Sequence, residues 1–131
     1  MPVLWTFRCY VDSRGTNVVR EWYEQTHLRA RAKFLSRIKT LSTLPREEWN
    51  DSFHKQLKGG DGICEIRFEA GNVQHRPLGY HSADNEFTLV FVAIEKGDKF
   101  KPKSALEIAK TRRSAILKGE RHTDALWLAL E

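Results

Sequence analysis

The side chains able to do chemistry in this sequence are cations and imidazoles. In the run Ile63–Ala70, Cys64, Ile66 and Phe68 alternate with Glu65, Arg67 and Glu69. Gly71-Asn72 follows as a tight-hairpin signal, and the next run carries His75 and Arg76 in a stretch with few other charges. A hairpin at that point puts Arg67 and Arg76 on neighbouring strands. His54, Lys55 and Lys58 come before them, and Lys96, Lys99, Lys101 and Lys103 come after. Such a set is suited to gripping a phosphodiester and stabilising charge on it as it becomes pentacoordinate. RNA cleavage can use the substrate's own 2′-OH as nucleophile. The protein then needs a base near that hydroxyl, an acid near the leaving oxygen and cations on the phosphate. His54 or His75 can exchange protons near neutral pH. A lysine crowded by arginines can also act as base, because like charges lower its pKa. This chemistry calls for no metal and no cofactor. Each residue also has a plainer role. Arg67 can pair with Glu65 and Glu69 as an ordinary strand charge partner. His75 can be a satisfied structural histidine, and the lysines from Lys96 to Lys103 a solvated turn.

The elements that must position these residues follow from periodicity. Val3 to Val11 alternates as a strand, and Asp12-Ser13-Arg14-Gly15 turns the chain. From Asn17 to Leu44 the apolar residues Val19, Tyr23, Ala30, Phe34, Ile38 and Leu41 recur at helical spacing, as one long helix or two abutting ones. Thr16 or Asn17 caps the start, and Pro45 stops the helix near Leu44. A short turn over Arg46–Phe53 and the loop Gly59–Gly62 lead to three strands: Ile63–Ala70, Val73–His81 and Phe87–Ile94. Pro77 implies a bulge or a lost ladder bond in the second strand. The third is apolar on both faces and belongs in mid-sheet. A last helix runs from Pro102, in first helical position, to Gly119. The tail 121–131 can add a turn or two of helix, packed on its own core or presented to a partner. The expected architecture is a single α+β domain over residues 1–131. In it, a small antiparallel sheet, made of the N-terminal strand and a three-stranded meander, carries helices on one face.

Composition sets the outer bounds. The chain has 131 residues, enough for one domain with a real core. Its net charge of +5 favours a polyanionic or acidic partner. Cys9 and Cys64 are far apart, without CxxC or Cys/His metal spacing, and read as buried reduced thiols. The N-terminus lacks a signal-peptide pattern and no run is long enough for a membrane span, so a cytoplasmic protein is expected.

Three stretches together are similar to one known family. Leu57-Lys58-Gly59 with Ile63-Cys64-Glu65-Ile66-Arg67-Phe68 resembles an L-K-G … E-[LI]-R-[FI] segment. His75-Arg76-Pro77-Leu78-Gly79-Tyr80 resembles a Y-R-x-x-Y strand. Phe91–Lys96, then Pro102 and Glu107-Ile108 through Arg112, resembles an F-x-K-K … P … E-I-x-x-A-x-x-R end. These motifs belong to the RelE/HigB toxin superfamily, in its phage-derived HigB-like branch. The resemblance runs from Phe53 to Lys118 and, in layout only, over the N-terminal part. It implies a microbial-ribonuclease-like sheet and cleavage of mRNA, usually on the ribosome. It also implies a cognate antitoxin, expected to be of helix-turn-helix type. By position it makes Arg67 and Arg76 the active-site arginines and Lys96 the first lysine of the end motif. Gly97 stands where the second lysine is usual, and Lys99 is the nearest substitute. Lys55, Lys58, Lys99 and Lys101 are the expected RNA contacts. Two other functions fit the same sequence. One is a ParE-like toxin that inhibits a topoisomerase without cutting nucleic acid. The other is a degenerate module that binds RNA or a partner without catalysis.

Overall fold

The computed structural model describes residues 2–131. In chain order it contains β1 (Thr6–Tyr10), α1 (Val18–Gln25), α2 (Leu28–Ser42), a 3-10 turn at Arg46–Glu48, β2 (His54–Gln56), β3 (Cys64–Ile66), β4 (Phe68–Ala70), β5 (Val73–Ala83), β6 (Glu86–Lys96), β7 (Lys99–Lys101), α3 (Ala105–Leu117) and β8 (Thr123–Ala125). The fold is α+β. The helical run is two abutting helices, each opened by a side chain that accepts otherwise free backbone N–H groups. Asn17 Oδ1 accepts from Val19 and Arg20 at 3.1 and 3.0 Å, and His27 Nδ1 accepts from Ala30 at 3.2 Å. α3 begins at Ala105, three residues beyond Pro102.

The sheet is larger than expected and mixed. Its order is β2-β3-β5-β6-β1-β8, with β4 continuing beside β5 and β7 beside β6. β1 lies parallel to β6, with Phe7 opposite Phe87 and Cys9 opposite Leu89; the other pairings are antiparallel. The small antiparallel sheet is therefore corrected. A long helical crossover separates β1 from the meander, and such a connection can return the chain in the parallel sense.

The helices occupy both faces rather than one. Phe87 and Leu89 of β6 pack with Val19 of α1 and with Phe34, Ile38 and Leu41 of α2. Val90 and Ala93 of the same strand pack with Ala105 and Ala109 of α3. A strand that is apolar on both faces needs cover on both, and β6 receives it. α3 is also pinned by Arg112, whose Nη1 donates to Val90 O at 2.8 Å while its guanidinium lies over Tyr10 and Phe91.

The tail is not helical. β8 pairs antiparallel with β1, Leu126 N donates to Phe7 O at 2.9 Å, and Trp127 sets its ring edge-on to Tyr23. β1 would otherwise be an open edge whose backbone groups need partners, and this outweighs the tail's helical pattern. Among the described residues no helix is long and apolar enough to cross a membrane.

Candidate functional site

The site begins with a proline. Pro77 has no N–H to give its neighbour, and the ladder between β5 and the preceding run opens at that point. Glu65 pairs with Leu78 on one side of the opening and Phe68 with His75 on the other, in one continuous register. That register sets Arg67 opposite Arg76, as the hairpin predicts. The N–H of Arg67 turns away from β5 and donates to Phe53 O at 2.7 Å.

Two carboxylates sit with the two arginines. Glu65 Oε2 is 3.1 Å from Arg67 Nε and 3.7 Å from Arg76 Nε, and Glu95 Oε1 is 3.3 Å from Arg76 Nε. Arg76 also donates from Nη1 to His75 O and from Nη2 to Gln74 Oε1. The Arg76 side chain is 4% exposed, whereas that of Arg67 is 31% exposed. Arg76 is thus a buried clamp, and Arg67 is the guanidinium that meets solvent. Burial raises the Glu65 carboxyl above its ordinary range, and the positive charges of Arg76 and Arg67 oppose part of that rise.

These groups open onto a groove of about 470 Å³, lined by Lys55, Lys58, Glu65, Arg67, Glu95 and Phe100, with Asp98 also at its wall. A volume of that order takes a nucleotide-sized ligand. Arg67 is shared with a second recess, where Arg37, Ser52, Gln74 and Arg76 also contribute. Arg37 Nη1 is buried there without a hydrogen-bond partner, and its guanidinium lies 4.0 Å from the centre of the Phe53 ring.

Of the residues expected from sequence, Arg67, Arg76, Lys55 and Lys58 come together at these two openings. The others do not. His54 is next to Lys55 on β2, so strand alternation sends it through to the α1–α2 side, where its ring lies 5.1 Å from Trp49. His75 stacks on Phe68 at 4.9 Å and 10°, with both ring nitrogens buried and unpartnered. Burial lowers its pKa, and the charges of His27 and Arg76 lower it further. Both imidazoles are therefore withdrawn from the groove. Lys96 pairs with Lys99 at the exposed end of the β6–β7 hairpin. Phe100 lines the groove, so Lys99 and Lys101, its neighbours on β7, alternate to the other side.

The residues missed were Glu65 and Glu95 as members of the site, and Arg37. The spacing Glu65-x-Arg67 does mark two side chains on one face of a strand. That Glu65 is buried against a second arginine depends on where β5 and β6 lie, and the sequence carries no local sign of it. No family model, no curated protein and no solved structure matches this chain.

Proposed function

We propose that this chain is an endoribonuclease toxin of the RelE/HigB type that cuts mRNA on the ribosome, in the cytoplasm, and is neutralised by a cognate antitoxin protein. The observation that carries the reading is the Arg67–Glu65–Arg76 set at the break in the ladder, opening on a groove with Lys55 and Lys58. A carboxylate raised by burial is suited to take the proton of a 2′-OH. The oxygen so activated attacks the adjacent phosphorus, and the bond to the 5′-oxygen breaks. The products are a 2′,3′-cyclic phosphate and a 5′-hydroxyl. Arg67 holds the phosphate oxygens as charge grows on them, and Arg76 holds Glu65 in place. In this reading Lys55, the cross-strand partner of Glu65, returns a proton to the departing oxygen. Phe100 offers a ring on which a base can stack. The antitoxin covers this face.

A second reading draws on the burial of Arg76. The side chains of Arg76 and Glu65 are 4% and 5% exposed and hold each other, which leaves little of either for a substrate and favours a module that binds RNA or a partner without cutting. A ParE-like topoisomerase inhibitor shares that absence of cleavage.

The test is a cleavage assay on translating ribosome–mRNA complexes, with folding checked by circular dichroism. Arg67→Ala is the decisive variant, because that side chain is partly solvated and its loss strands less charge than loss of Arg76. Cuts in the decoding site that fall about 100-fold or more in folded Arg67→Ala support the nuclease. Salt-sensitive RNA binding without cuts supports the binding module. Inhibition of supercoiling without RNA binding supports the topoisomerase reading.

A further inference from the structure

We infer that His54, Cys64 and His81 form a binding site for a thiophilic transition-metal ion, zinc in the first instance, on the side of the sheet opposite the Arg67 groove. The donor atoms of these three residues all lie within 4.8 Å of one another. The two imidazole Nε2 atoms are 3.2 Å apart. Two nitrogens bound to one tetrahedral zinc at about 2.0–2.1 Å stand roughly 3.3 Å apart, so this edge of the polyhedron is already set. Closing the Cys64 sulfur onto it takes a shift of about an ångström.

The register explains why the three meet. His54 pairs with Ile66, so its diagonal neighbour on the same face of β3 is Cys64. Cys64 in turn pairs with Gly79, so its diagonal neighbour on β5 is His81. Three strands each supply one ligand. The sequence positions are too scattered to show a metal-binding spacing, which is why none is visible there. The rings of Trp5, Trp49 and Phe87 surround the imidazoles, with centroids 5.5 Å (Trp5–His81), 5.4 Å (Trp49–His81) and 5.0 Å (Phe87–His81) apart. Two imidazoles and a thiol in an apolar surround are the donor set that zinc and other thiophilic ions prefer over magnesium or calcium. Binding replaces the Cys64 S–H bond with a metal–sulfur bond and releases one proton to solvent. A water completes a fourth position. The positive charge of Arg46 is felt at all three donors, and Asp51 opposes it at His54 alone; that charge costs a bound cation some affinity, while it favours the neutral imidazoles and the thiolate that coordinate a metal. Bound metal would fasten β2, a three-residue edge strand, to β5.

The experiment uses the full chain, reduced and stripped with a chelator, titrated with Co²⁺ and then displaced with Zn²⁺. The expected result is one equivalent of Co²⁺ with a thiolate-to-cobalt charge-transfer band and tetrahedral-intensity visible bands, both abolished by Zn²⁺. Cys9→Ser, whose thiol lies outside the cluster, keeps the band; Cys64→Ser loses it, and His81→Asn weakens binding. Zinc also slows alkylation of Cys64 in the wild-type protein, read by mass spectrometry, which tests the site even if a variant misfolds. A folded wild type with no charge-transfer band and no protection of Cys64 overturns the proposal, as does a Cys64→Ser variant that binds cobalt with the wild-type spectrum. RNA cleavage plays no part in these readouts, so the nuclease reading and this one fail separately.

Discussion

Glu65 is the residue on which the proposed chemistry turns, because it is pulled two ways. Burial favours its neutral form, and two guanidinium groups within 4 Å favour the charged one. Glu65→Gln keeps the shape and removes the proton acceptor, so cleavage falls by about 100-fold or more while RNA affinity is kept. In the wild type the rate climbs with pH through a pKa above the usual carboxylate range. That limb disappears in the variant, and a pH–rate profile of both proteins decides it; an unchanged limb assigns the proton to another group. Across the sheet, His54 and His81 are each pushed down from 6.5 to about 4, chiefly by burial and secondarily by the charge of Arg46. The unfolded chain takes up protons at these imidazoles below its ordinary value, and the metal-free fold resists doing so. Their contribution to stability is therefore complete above 6.5 and is lost as pH falls toward 4. Urea midpoints measured in chelator at neutral pH and near pH 4 show the drop, and His81→Phe reduces it.

β5 shows what the sequence disclosed about an element and what it withheld. The missing N–H of Pro77 was legible, because it follows from covalent structure alone, and the ladder does break beside it. The alternation of Ile63–Ala70 correctly separated Glu65 and Arg67 from Cys64, Ile66 and Phe68. A bulge was the other outcome that Pro77 allows, and one does lie beside it, but that the extra residue falls on β6 was not legible. Leu78 pairs with Phe91 and Gly79 with Leu89, leaving Val90 as the extra residue, and its carbonyl is the one that Arg112 of α3 caps. Gly79 is required here for close approach, not for an unusual backbone angle. A Cβ at this position would run into the Thr88 carbonyl and the Phe87 ring. Gly79→Ala is expected to cost about 3 kcal/mol by overpacking between central strands, read as a lower denaturation midpoint. The parallel entry of β1 and the second helical face escaped for the same reason as the strand that carries the bulge. Each is set by contacts between segments far apart in the chain, and local periodicity does not report them.

At the scale of the molecule the sheet divides its two faces between different chemistries. The α1–α2 face buries the aromatic core and the histidine–cysteine cluster, and the α3 face leaves the Arg67 groove, lined by charges of both signs, uncovered at its β2–β3 end. The C-terminal tail closes the far edge. Arg8 Nε donates to Thr123 Oγ1 at 2.6 Å and its Nη2 to Thr123 O at 2.7 Å, while Leu126, Trp127, Leu128 and Leu130 pack against the same core as α1. Removing residues 121–131 strips β1 of its outer partner and uncovers those apolar side chains. The truncated chain is expected to melt at least about 5 °C lower and to self-associate through the bared edge of β1, as seen by thermal denaturation and light scattering. The groove is lined from β2, β3 and the β6–β7 hairpin, and no residue of β1 or β8 contributes to it. RNA cleavage by the truncated chain, measured well below its melting point, should therefore match that of the full chain. Lost cleavage in a folded truncation would mean that the tail serves the site as well as the edge, and an unchanged melting point would mean that β8 adds nothing to the fold.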